Sequence, residues 1–170
     1  MFHFLAYRTS NMTAGTNQTG GDYLIPFSHA TGRGNRNFLK SDDVKLIGSA
    51  AGIRNTRSCG YMCRRSGHYH FYAQAIITTV EVLGKLTMGL IVRNEGGVKT
   101  KIYKIYDISK ELSGTSSSGV TYDVQGDLEL ILGDFVSVSL NFDNSGQDTF
   151  IVNGDTSSYK TFFTGYKIGV

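Results

Sequence analysis

The side chains in this sequence that can do chemistry are few, and they stand in short clusters. His68 and His70 lie two apart in Gly67-His68-Tyr69-His70-Phe71. On an extended strand both face one side, about 7 Å apart. Such imidazoles can ligate a metal or titrate near physiological pH. The same spacing fits two half-buried residues between sheets, and no carboxylate stands beside them in sequence to orient the rings. Asp143-Asn144-Ser145-Gly146-Gln147-Asp148 is dense in oxygen donors. Asp143, Asn144 and Asp148 would be its calcium ligands, although the alternating acids and terminal Glu of an EF-hand are missing. A polar hairpin has the same composition. No Ser-His-Asp order, Walker loop or dinucleotide fingerprint is present. Gly32 and Gly34 have no helix beside them to help cradle a phosphate. An enzyme is therefore not the expected class.

The charges suit binding better than catalysis. The net charge is only +3, but residues 31–67 hold Arg33, Arg36, Lys40, Lys45, Arg54, Arg57, Arg64 and Arg65 against Asp42 and Asp43. Residues 111–155 hold Glu111, Asp123, Asp127, Glu129, Asp134, Asp143, Asp148 and Asp155 with no Lys or Arg. This asymmetry would complement across a subunit contact, offer a basic face to an acidic ligand, or be dispersed over a solvated surface. Arg33, Arg36 and Lys40 are the ligand-binding candidates for an anion, the two arginines foremost because a guanidinium grips carboxylate or sulfate bidentately. Basic and aromatic residues do not interleave as in an RNA-recognition domain, so nucleic acid is not an expected partner. Nothing reaches the roughly 18 apolar residues of a membrane helix, so membrane insertion is not expected either.

Cys59 and Cys63 are the two cysteines. Four residues of strand would separate them by about 13 Å, twice what a disulfide tolerates. No second pair has zinc-finger spacing. The role of either thiol and the redox compartment stay open at this point. Asn11-Met12-Thr13 and Asn17-Gln18-Thr19 are glycosylation acceptors if the chain is secreted. No signal peptide and no Gly-X-Y stalk is visible.

The elements that carry these groups read as β throughout. The chain has 170 residues with 21 Gly, one Pro, ten Phe, ten Tyr and no Trp. That length fits one domain, 1–170, with a sizeable core, and that composition fits many strands and turns. Two-residue alternation marks 2–7, 22–27 (with Pro26 arguing for an edge), 44–47, 59–63, 68–79, 86–92, 98–106, 121–132, 135–142, 149–152 and 161–168. Residues 10–21, 31–43 and 113–119 read as polar loops, 108–112 as a turn, 93–97 as a hairpin turn, and Gly133-Asp134 as a turn capped by its carboxylate.

Several stretches together resemble the globular head of the C1q family, which shares its jelly roll with tumour necrosis factor. They are Phe4-Leu5-Ala6-Tyr7-Arg8, Gly60-Tyr61-Met62-Cys63, Gly67 to Phe71, Leu128 to Val136 and Phe162-Phe163-Thr164-Gly165-Tyr166. The long segment 28–57 departs from that pattern. The resemblance implies an all-β sandwich of about ten strands that assembles as a compact homotrimer. It places Phe4, Tyr69, Phe71, Phe163 and Tyr166 in the core or at the subunit contacts, and calcium occurs in some such heads. It implies a recognition or adhesion head whose loops bind a glycan, a protein or an anionic surface. The alternative is a structural virion component, a fibre tip or decoration protein. The location would be extracellular or on a virion surface.

Overall fold

The computed structural model describes residues 3–15, 21–40, 45–48, 59–79, 83–94, 103–113, 116–143 and 149–169. They form fourteen strands: β1 His3–Tyr7, β2 Met12–Gly15, β3 Gly21–Leu24, β4 His29–Thr31, β5 Phe38–Leu39, β6 Lys45–Gly48, β7 Gly60–Met62, β8 Gly67–Thr79, β9 Leu83–Asn94, β10 Tyr103–Ser113, β11 Ser116–Leu130, β12 Asp134–Asp143, β13 Thr149–Val152 and β14 Phe162–Ile168. One 3-10 turn, Asn35–Asn37, interrupts them. Every pairing is antiparallel.

Two seven-stranded sheets result. In the first, the order is β11-β8-β14-β1-β4, with β13 and β2 continuing along the edge of β8 beyond β14. In the second, β10-β9-β12 carries β3-β6 and β7-β5 on the far edge of β12.

The alternation of β8 sets the packing. Tyr69, Phe71, Ala73, Ala75 and Ile77 are buried, while the residues between them are half-buried or exposed. Phe71 lies among the rings of Phe4, Tyr61, Tyr69 and Phe163 at 5.6–6.4 Å. Phe4 of the first sheet stacks on Tyr61 of the second, 5.2 Å apart with planes 2° from parallel. Four of the five aromatics chosen from the sequence are therefore core. Gly165 is what lets Phe71 in, since a Cβ there would stand 2.5 Å from the Phe71 ring.

A second, smaller buried layer covers the outer face of the second sheet and includes Leu24, Met62, Ile91 and Phe135. The buried Arg93 guanidinium lies 4.9 Å from the Phe135 ring centre and donates to Ser137 Oγ.

The strand count exceeds ten because polar stretches pair wherever a neighbour offers backbone groups. Met12–Gly15, inside the expected loop 10–21, pairs with β13. Ser116–Gly119 extends β11 and shortens the expected loop 113–119. Residues 108–112 are strand, not turn, paired with Met88 to Gly84 of β9 beyond an irregularity at Lys104/Asp107. Pro26 does not mark an edge. The strand ends at Leu24, and β3 is flanked by β12 and β6. The Pro26 carbonyl instead accepts from the buried Arg8 guanidinium at 2.7 Å. Arg93 and Asn94 of the expected hairpin turn 93–97 end strand β9, while 95–97, residues 98–102 of the expected strand 98–106 and the loop segment 41–43 lie outside the described residues.

Candidate functional site

The outer face of the first sheet is the candidate site. Cross-strand register writes it in rows. His3, Tyr166, His70 and Asp127 form one row across β1, β14, β8 and β11. Leu5, Thr164, Tyr72 and Gln125 form the next, and Tyr7, Phe162, Gln74 and Asp123 the third. The centre is aromatic: Tyr72 and Phe162 lie 5.5 Å apart, Tyr166 is 41% exposed and Ile168 40%. Tyr166, expected in the core or a contact, thus stands on this open face. Its ring is 5.2 Å from His70.

The two sides of this face differ in charge. On β11 the outward column is Asp123, Gln125, Asp127 and Glu129, all exposed. Across the sheet, beyond β4, the turn through residues 32–37 presents Arg33 and Arg36, with Lys40 just past β5, and all three are exposed. None of these three makes a hydrogen bond or ion pair with the described residues. The chain's charge asymmetry has become a spatial one, with acid along one edge and base beyond the other.

His68 and His70 face outward, not between the sheets. The carboxylate that the local sequence lacks arrives from β11. His70 Nδ1 is 2.6 Å from Asp127 Oδ1, and His68 stands opposite Glu129 in register. A histidine–carboxylate pair is two-thirds of a hydrolytic triad, but the nearby Thr164 hydroxyl is committed to the Phe4 carbonyl at 2.6 Å. Among the described residues no group of three His, Cys, Asp or Glu side chains converges as a metal site. Of the calcium candidates, Asn144 and Asp148 lie outside the described residues and Asp143 ends β12.

Both cysteines are free and buried. Cys59 Sγ accepts from the Phe27 amide at 3.1 Å, and Cys63 Sγ reaches the Arg65 carbonyl at 3.1 Å. Burial pushes the Cys63 thiol up, so it is protonated at neutral pH and a weak nucleophile. Both thiols should therefore resist a maleimide reagent at pH 7.5 until the protein is unfolded. Rapid labelling of folded protein would show that one of them is open.

Asn11 is exposed, and its side-chain oxygen accepts from the Gly154 amide at 3.0 Å. Asn17 lies outside the described residues. Asp155 holds the turn before β14. It accepts from the Ser157 amide and hydroxyl and from Ser158, and these bonds lower its carboxyl to about 2.

Two antiparallel sheets with this connectivity form a sandwich similar in fold to the C1q and tumour necrosis factor jelly rolls. The solved structures agree in fold. The Eiger tumour necrosis factor of S. frugiperda superposes with a TM-score of 0.57 at 13% identity, covering 99% of this chain and 92% of that one. The globular domain of zebrafish complement 1qA gives 0.57 at 14%, covering 99% and 97%. Murine APRIL at pH 8.5 gives 0.52 at 14%, covering 98% and 99%. No protein-family model matches the sequence, and no curated protein matches it in sequence. No helix among the described residues is long and apolar enough to cross a membrane.

Proposed function

We propose that the protein is a non-enzymatic recognition head that assembles as a homotrimer through the outer face of its first sheet. Its loops would bind a glycan or protein surface outside the cell. The observation that carries this reading is the graded face: acid on β11, aromatics on β8 and β14, base beyond β4. A head-to-tail contact in which one copy's acidic edge meets the next copy's basic edge is heterologous, and such a contact closes into a ring when its rotation divides the circle, threefold here. The aromatic centre supplies the apolar area, and the edges fix direction and register. The outer face of the second sheet, with its own buried layer, has less to gain from a partner.

By position on β11, Asp123, Asp127 and Glu129 are the acids that would oppose the arginines of the next copy. Arg33 and Arg36 are either subunit contacts or ligand contacts on a loop held by a rigid scaffold. Replacing both by Ala separates the two. Under the assembly reading, the double variant dissociates to monomers on dilution, and high salt loosens the wild-type trimer in the same direction by screening the contact that the variant lacks. Under the ligand reading, the trimer persists and glycan-array or partner binding is lost. If neither property changes, these arginines have no part in the function.

A further inference from the structure

At one end of the sandwich two sheet-to-sheet connections lie side by side. Residues 131–133 run from β11 to β12, and residues 63–66 run from β7 to β8. The first presents Ile131 and Leu132, 56% and 66% exposed, the two most exposed large apolar side chains among the described residues. The second presents Arg64 and Arg65, both exposed. Lys167 lies beside them, its Nζ 3.2 Å from the Ser66 carbonyl.

The two turns are built as one rigid piece. The Asp134 amide donates to the Ile131 carbonyl at 3.0 Å, and the Ile131 amide donates to Asp134 Oδ2 at 2.9 Å. The Leu132 amide donates to Ser66 Oγ at 3.0 Å, and the Gly133 amide donates to the Cys63 carbonyl at 2.9 Å. Tyr69 Oη donates to the Arg65 carbonyl from inside. Gly133 takes φ +93, so the turn bends without strain. Nothing in this bonding needs an apolar side chain at 131 or 132, and water is poor company for two neighbouring aliphatic groups. The carboxylate within the turn, Asp134, is buried. The nearest exposed acid along this chain segment is Glu129, which lies on the sheet face opposite His68.

We propose that this tip docks on the surface of an anionic lipid bilayer, Ile131 and Leu132 entering the headgroup boundary while Arg64, Arg65 and Lys167 meet lipid phosphates and carboxylates. Charge complementarity favours a negative partner. Shape favours a fluid one. A rigid protein partner needs roughly 800 Å² of matched surface on each side, which two side chains on a convex turn do not supply, whereas an interface of lipids moulds around them. The strength of docking rests in part on the trimer reading, because cyclic symmetry sets equivalent tips in one plane, where three weak contacts add as avidity.

Flotation with vesicles tests this, using phosphatidylcholine alone and phosphatidylcholine with about 30% phosphatidylserine. Wild-type protein should float with the anionic vesicles and not with the neutral ones. Binding should fall at least about tenfold in Ile131→Ser/Leu132→Ser and again in Arg64→Gln/Arg65→Gln. Both pairs are exposed, and an unchanged circular-dichroism melt verifies the fold. Absence of wild-type flotation, or a serine variant that floats like wild type, overturns the proposal. The solution mass of the same samples keeps the two readings apart. A monomer that floats through Ile131 and Leu132 upholds the tip and removes the trimer, and a trimer that does not float does the reverse.

Discussion

Phe71→Ala should lower stability by about 3–5 kcal/mol, a drop in the thermal midpoint of roughly 6–20 °C for a chain of this size. Phe71 is fully buried and touches four other rings across both sheets. Removing it leaves a cavity at the point where the sheets are cross-linked, and the flanking strands β14 and β11 are too tightly paired to collapse into it. Filling the site from the other side should also fail. Gly165→Ala would push a methyl group into the Phe71 ring, an overpacking that costs about 1–3 kcal/mol. A calorimetric midpoint within two degrees or so of wild type for Phe71→Ala would contradict the packing described above.

The second large effect concerns assembly rather than folding. Phe162→Glu should leave each subunit folded and take the trimer apart. Phe162 is half-buried on the outer face, in contact with Tyr72. In the separate subunit a glutamate there would reach water. In the assembly it would be an unpaired carboxylate under an aromatic contact, repeated at each of three interfaces. A central aromatic contact is worth about 2 kcal/mol or more per interface, and a buried unpaired charge adds to that loss. Sedimentation velocity should show trimer becoming monomer, with the circular-dichroism spectrum unchanged. A Phe162→Glu protein that keeps the wild-type sedimentation coefficient would place the interface elsewhere.

Much of the fold was legible because the period-two signal is strong where one face is buried. Strand β8 is the clearest example, with Tyr69, Phe71 and Ala73 inside and His68, His70 and Tyr72 outside. The turn at Gly133-Asp134 was equally readable, since an Asp closing a turn through its own carboxylate leaves a local signature. The short strands Met12–Gly15 and Ser116–Gly119 were not. Apart from Met12 their residues are polar or small, and they are extended because β13 pairs along Met12–Gly15 and β8 takes Ser116 opposite Thr79, a non-local cause that no window of sequence contains.

The candidate site was legible in its parts and not in its arrangement. The basic segment 31–67 and the acidic segment 111–155 stand out along the chain. That Arg33, Arg36 and Lys40 of the one and Asp123, Asp127 and Glu129 of the other flank one aromatic face depends on β4 and β11 lying at opposite edges of the same sheet. The His70–Asp127 contact joins residues 57 apart in sequence and was invisible for the same reason. Tyr166 could have been assigned from its place two residues after Thr164 on the outward side of β14, had the register with β1 been known.

The mass of the protein in solution tests the central claim most directly. Light scattering on a size-exclusion column at micromolar concentration should give one species at three times the 18.6 kDa chain mass, and that species should persist on dilution. A single species at 18.6 kDa under the same conditions would mean that the aromatic face stays open to water, and would contradict the account.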